Sequence, residues 1–390
     1  MINQHTHAAG RFPARFLNTG IALLLIMLSF NAAAKPVTVT DIAGRTVTVN
    51  APVSRVMLAD SRVLVALNIL HPAEPLKGIV AWDDALTKKA PDLRIAYEKK
   101  FPQLTDIPVF PNPYTTDFSV ENALTYQPDL VIFDTGLQSK VAESGTLDLL
   151  EKSGIPVIFV DFRQSPLKNT QPSMTLLGQV FGQEKQAEAF NDFYNQRLTL
   201  IRTRVALIPA DKQPTVFIER AAGLAGENSC CKTFGNGNFG EFVTAAGGHN
   251  QGADWFKNTM GGEVSEEQII AADPQFYLMT VADWESTRKG SASVPLGYTG
   301  SAARAIPALE KLMARPKLQH LSAYQEKRVL ALYQQYYDTP FNIIAVEAIA
   351  TFLHPDIFRD LDPQADSLML HKTFTALDGS GLFWLTPGTD

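Results

Sequence analysis

The chain has 390 residues, enough for two or three domains at roughly 150 residues each. With 45% hydrophobic and 19% charged residues it can bury substantial cores, which excludes a disordered chain, and a formal charge of −6 argues against a nucleic-acid footprint, normally basic. The two cysteines are adjacent (Cys230, Cys231), which excludes a disulfide scaffold and any four-cysteine metal site.

Residues 1–34 read as a secretory signal segment. Arg11 and Arg15 supply its positive region, Leu17 to Phe30 is apolar apart from Asn18, Thr19 and Ser29, and Ala32-Ala33-Ala34 gives a small-residue cleavage pattern. The core from Ile21 to Leu28 is far short of the ~20 residues that span a bilayer, so an anchor is not expected.

After the leader, Val37–Val49 alternates around Asp41-Ile42-Ala43-Gly44 and predicts a hairpin. Arg55–Leu58 leads into a helix near Ser61–Leu70, and Leu76–Val80 reads as a strand. A short helix over Ser119–Thr125 precedes a strand at Leu130–Phe133. A helix near Lys140–Lys152 precedes a strand at Pro156–Val160. This alternation implies parallel βα units. From Gln183 to Leu207 there is no Gly or Pro, and Ala187, Phe190, Tyr194, Leu198, Ile201 and Val205 form a helical stripe; at ~1.5 Å per residue the helix is about 35 Å long. The βα rhythm then restarts: strand Thr215–Glu219, helix Phe239–Ala246, helix Gln268–Ala272, strand Phe276–Thr280, helix Ala303–Met313, strand Arg328–Leu332 and helix Pro340–Leu353. The expected organisation is a signal peptide (1–34), an N-terminal α/β lobe (35–182), a linker helix (183–207) and a C-terminal α/β lobe (208–390).

Catalytic signatures are missing. There is no G-x-S-x-G, no H-E-x-x-H and no G-x-x-x-x-G-K-[ST], and the seven histidines show no ligand spacing, so neither an enzyme nor a metal centre is expected. Gly235 to Gly240 matches G-x-G-x-x-G but is preceded by Lys232-Thr233-Phe234 and the cysteine pair, where a dinucleotide fold needs a strand. It reads instead as a glycine-rich loop entering a helix, open to backbone approach by a ligand or partner. With two lobes and no catalytic motif, the space between the lobes is the expected ligand site.

Five blocks, in order along the chain, resemble the periplasmic substrate-binding proteins of ABC importers for ferric siderophores and vitamin B12. They are Asp41-Ile42-Ala43-Gly44-Arg45-Thr46-Val47; Val120-Glu121-Asn122-Ala123-Leu124 running into Gln127-Pro128-Asp129-Leu130-Val131-Ile132; Ala245-Ala246-Gly247-Gly248-His249-Asn250; Val264-Ser265-Glu266-Glu267-Gln268-Ile269 to Asp273-Pro274; and Thr339-Pro340-Phe341-Asn342 to Leu353-His354-Pro355. The resemblance implies two Rossmann-like lobes joined by a single long α-helix, with a ligand cleft between them. It also implies a soluble periplasmic monomer with no resident cofactor, which captures an iron-siderophore complex and delivers it to an inner-membrane importer. A corrinoid or haem is the alternative cargo, and a secreted α/β hydrolase acting on siderophores the alternative class. The departures from the family lie at Trp82–Pro113, Cys230–Gly240 and Asp283–Ala303.

An anionic, aromatic ferric chelate needs cations and flat side chains, and open α/β sheets bind ligands beyond their strand C-termini. Arg62, Trp82, Arg163 and Arg220 follow predicted strands, and Trp255, Trp284, Tyr336 and Tyr337 stand in loop-like positions; all eight are candidate ligand contacts. Cys230 and Cys231 are either a strained vicinal disulfide facing the cleft or a pair of idle thiols, since adjacent Cα atoms sit ~3.8 Å apart, below the usual ~4.4 Å. In the family, one glutamate on each lobe meets permease arginines, and the matching positions here are Glu121 and Glu267. Both fall in the first turn of a predicted helix, where the dipole favours a carboxylate. Capping by Ser119 and Ser265 engages Asn122 and Gln268, leaving both glutamates free to point outward.

Overall fold

A computed structural model describes residues 34–257 and 259–388. The signal segment, apart from Ala34, lies outside the described residues. The predicted hairpin is β1 (Lys35–Thr40) and β2 (Thr46–Ala51), paired antiparallel with Val39 opposite Val47. Alternating burial along β2 sends Val47, Val49 and Ala51 inward.

The N-terminal lobe is built on β3 (Val56–Leu58), β4 (Ile79–Asp83), β5 (Val109–Phe110), β6 (Leu130–Asp134) and β7 (Val157–Val160), all parallel in the order β5-β4-β3-β6-β7. Its helices include α1 (Leu64–Leu70), α2 (Pro91–Lys100), α3 (Val120–Thr125) and α4 (Pro166–Phe181). Strands β6 and β7 are buried throughout, as an internal parallel sheet covered on both faces requires. The helix expected over Lys140–Lys152 is two helices, broken at Gly145, whose φ of +73° places it in the left-handed region.

The long apolar stripe is α5 (Glu184–Val205), whose buried residues are Ala187, Phe190, Phe193, Tyr194, Leu198 and Ile201. It joins the two lobes. The C-terminal lobe follows with β8 (Thr215–Glu219), β9 (Lys232–Phe234), α6 (Phe239–Ala245), β10 (His249–Asn250), β11 (Gly261–Glu263), α7 (Glu266–Ala272), β12 (Phe276–Val281), α8 (Ala302–Met313), β13 (Val329–Tyr333), α9 (Asn342–Leu353), α10 (Pro363–Phe374) and β14 (Trp384–Leu385). The main sheet runs β10-β8-β12-β13-β14, parallel except for the terminal strand β14, and β9 pairs antiparallel with β11. Two α/β lobes joined by one long helix is therefore the architecture.

Helix α5 is fastened to the C-terminal lobe by Arg197, which pairs with Asp366 and lies 3.6 Å from Glu347 on α9. Burial, reinforced by the charge of Asp366, pushes the Glu347 carboxyl up to about 8. A carboxyl raised in the folded state imposes no penalty below its unfolded value and a growing one as pH climbs towards the folded value. Glu347→Gln removes this titration. Its stability relative to the parent is expected to improve by roughly 2–4 kcal/mol from about pH 5 to about pH 8. Urea midpoints at the two pH values read this directly; an unchanged gap would contradict it.

Candidate functional site

Strand C-termini of the N-terminal lobe carry a run of buried acids: Asp60 beyond β3, Asp83 on β4, Asp134 on β6 and Asp161 beyond β7. Arg62 answers them. It is 1% exposed and every nitrogen of its guanidinium has a partner in the protein. Nε donates to Asp60 at 2.9 Å, Nη1 donates to the Tyr337 hydroxyl, and Nη2 pairs with Asp338 at 2.6 Å. Tyr337 and Asp338 belong to the C-terminal lobe, so Arg62 ties the lobes together. Burial pushes Asp338 upward, and the Arg62 charge opposes the shift.

Other ties run beside it. The Lys89 carbonyl accepts from Trp284 Nε1 at 2.9 Å and from Gln335 at 2.6 Å. Asp92 accepts from the Tyr333 hydroxyl at 2.7 Å and from the Tyr298 amide at 3.0 Å. Asn238, at a φ of +57° in the glycine-rich loop, donates its amide to the carbonyls of Arg163 (2.6 Å) and Tyr337 (2.9 Å). A Cβ on Gly237 would stand 2.9 Å from the Gln164 carbonyl. The glycines thus admit the backbone of the other lobe.

Within this frame lies a cavity of about 470 Å³ lined from both lobes. Its lining holds four cations, Lys88, Lys89, Arg220 and Arg288, with Trp284 and Tyr337, and no carboxylate. Lys88 is paired with Asp84 outside the lining at 2.6 Å. Neither Arg220 nor Arg288 has a carboxylate partner among the described residues; the Arg220 guanidinium lies 5.1 Å over the Phe234 ring. Burial, helped by the nearby charge of Arg163, holds Arg220 below its ordinary value. Arg163 stands over Tyr114 at 4.6 Å and Tyr337 at 5.4 Å, and its Nε and Nη1 are buried without a hydrogen-bond acceptor. A second cavity, about 490 Å³, shares Arg220, Ala221, Leu224 and Arg288 with the first and is bounded by Cys230 and Cys231, whose sulfurs lie in bonding contact. Glu219 approaches the two sulfurs, but its carboxylate is already held by Arg315 at 2.7 and 2.6 Å and by Tyr277. The arrangement suits a polyanion with a flat or aromatic face.

The structure gathers Arg62, Arg163 and Tyr337 at the lobe junction and sets Arg220 and Trp284 beside them. Four candidates are corrected, three in place and one in role. Trp82 does not follow its strand, because β4 runs on to Asp83 and buries the indole in the hydrophobic core. Trp255 packs on Phe217 of β8 with ring centroids 6.1 Å apart, and Tyr336 packs on Tyr333 and Phe383. Arg62 is corrected in role, since its donors are consumed by the protein. Lys89, Asn238, Arg288 and Asp338 were missed. Lys89, Asn238 and Arg288 lie in the Trp82–Pro113, Cys230–Gly240 and Asp283–Ala303 departures, the one available signal; Asp338 acts through a long-range contact that spacing does not reveal.

Glu121 and Glu267 are both exposed, in the first turns of α3 and α7. Ser119 and Ser265 cap Asn122 and Gln268 as expected, at 3.1 and 3.2 Å. Glu267 is not free, however: Lys317 reaches it at 3.3 Å and Glu266 at 2.7 Å.

Residues 80–336 match the family described as periplasmic binding protein. Among solved structures, a TroA-like periplasmic binding protein, FepB from Veillonella parvula, is 24% identical with a TM-score of 0.81, covering 90% of this chain and 100% of that one. Helicobacter pylori CeuE in a nickel–histidine complex is 17% identical with a TM-score of 0.63, covering 88% and 96%. A periplasmic heme-binding protein from Pseudomonas aeruginosa is 18% identical with a TM-score of 0.53, covering 78% and 94%. No curated protein matches.

Proposed function

The chain belongs to the periplasmic binding protein family, and on that premise we propose that it captures an anionic ferric siderophore complex between its lobes and hands it to an inner-membrane ABC importer. The reading rests on one observation, a cavity lined by four cations, a tryptophan and a tyrosine but no carboxylate. A bound polyanion supplies the charge that Arg220 and Arg288 lack, and charge-assisted hydrogen bonds to arginine are the strong ones. Trp284 and Tyr337 offer faces to the organic part of the chelate. Arg163 offers its two unpartnered donors at the lobe junction. The Cys230–Cys231 bridge borders the second compartment.

The chain acts as a monomer in the periplasm after losing residues 1–34, with lobes of 35–182 and 208–390 around the 183–207 linker. Glu121 and Glu267 dock it on the permease. It binds its cargo without altering it. A thermal-shift screen against ferric and iron-free siderophores tests the cargo: the true ferric complex, at about 100 times its Kd, stabilises by ~2.7 kcal/mol through mass action. Stabilisation by haemin or a corrinoid and by no ferric siderophore would overturn the cargo. Recovery of hydrolysed siderophore by mass spectrometry would overturn the class.

A further inference from the structure

The two lobes repeat one small structure, and each copy leaves an aliphatic side chain in solvent beside its glutamate. Helix α3 feeds β6, which pairs with β3, the first strand of its sheet in the chain; α7 feeds β12, which pairs with β8, the first strand of the other. Each helix is capped by a serine, Ser119 or Ser265, whose hydroxyl accepts the amide three residues on. Nine residues beyond each serine stands a proline, Pro128 or Pro274. Each proline follows a non-glycine residue in the left-handed region, Gln127 at φ +48° and Asp273 at φ +32°. The copies therefore correspond position by position.

In that register Glu121 matches Glu267, buried Ala123 matches buried Ile269, and Leu124 matches Ile270. Leu124 is 41% exposed and Ile270 43%. Residues three apart share a helix face, so each aliphatic group lies beside its own glutamate. The charges correspond as well. Glu266 and Glu267 carry two negative charges and Lys317 returns one, leaving one, as at Glu121. Isolated exposed leucines are ordinary; the same acid–aliphatic pair at equivalent positions of both lobes is not explained by packing.

We propose that Leu124 and Ile270 are the apolar halves of a two-point docking surface for a pair of like permease subunits, each receiving an arginine whose guanidinium meets the glutamate and whose methylene stem covers the aliphatic group. Arginine has this dual character, and two equivalent patches on one chain suit a partner that presents two equivalent surfaces. The inference deepens the docking reading given above and does not depend on the cargo.

The test places a photocrosslinking benzoylphenylalanine at position 124, 270 or 207 in the source bacterium. Leu207 is the control, an apolar residue 82% exposed elsewhere. Adducts at 124 and at 270 with a subunit that mass spectrometry identifies as an ABC permease, ~10-fold above those at 207, are expected for positions buried against the permease. In parallel, Leu124→Asp with Ile270→Asp lowers chain-dependent radioiron uptake from iron-limited spent medium by a similar factor, with melting temperature and ferric-siderophore affinity unchanged. Permease adducts at only one position or at neither, or normal uptake by the folded double variant, would overturn the proposal. Permease adducts without any radioiron uptake by the parent would overturn the cargo and leave the docking surface standing.

Discussion

Replacing Arg62 with alanine is expected to destabilise the fold by about 3–5 kcal/mol, the usual effect of stripping one partner from a buried ion cluster. The side chain is fully enclosed, and its loss strips Asp60 and Asp338 of the cation they share, leaving only the more distant charges of Lys89 and Arg163. Both carboxyls then favour protonation more strongly than in the parent. A folded-state value raised above the unfolded one weighs most at high pH, so the deficit shrinks as pH falls towards the ordinary carboxylate range. Arg62→Met combined with Asp60→Asn and Asp338→Asn should recover most of the loss, because a neutral cluster of similar volume needs no counter-charge. Urea unfolding of the three proteins decides the matter. A loss below about 1 kcal/mol for Arg62→Ala would place the network among surface-like pairs of little weight.

The second large effect is in transport. Glu121→Arg with Glu267→Arg is expected to abolish chain-dependent uptake while leaving ligand affinity and melting temperature nearly unchanged. Both carboxylates are exposed, and neither lines the interlobe cavity. Reversing a rim charge changes encounter and orientation and places like charges opposite one another at the interface. The Lys317 pairing makes Glu267→Arg the more perturbing single change, since it sets two cations side by side; among the described residues Glu121 has a hydrogen bond only from the Ser119 hydroxyl, at 3.3 Å. Normal uptake by the double variant, or lost ligand binding in the purified protein, would show that the glutamates serve something else.

Periodicity marks elements that bury one clear face. It found α5, β6, β7, β12 and β13 to within a residue or two, because their apolar patterns are strong and uninterrupted. It missed α4, where Pro172 and a run of polar residues mask a helix whose register is fixed by packing on α5. It missed α2, which begins at Pro91 in a polar segment and owes its place to the Asp92 contacts across the lobes. Chain order alone signalled Arg163 and Arg220, because side chains just beyond parallel strands gather at one end of the sheet, whereas Tyr337 was signalled by its loop-like position. It failed for Trp82, where the strand extends three residues past its apparent end at Val80. The partners that consume Arg62 lie 275 residues or more away along the chain, or are carboxylates whose burial no local pattern announces.

The most direct measurement is a titration of the parent and of Arg220→Ala with Arg288→Ala, using a ferric tris-catecholate siderophore complex and following tryptophan emission against calorimetric heat. Two charge-assisted contacts at about 1.5 kcal/mol each predict a Kd raised ~100-fold in the variant, with the melting temperature of the empty protein held. A variant that binds the complex as tightly as the parent would contradict the claim that this cation-lined cavity is where the cargo sits.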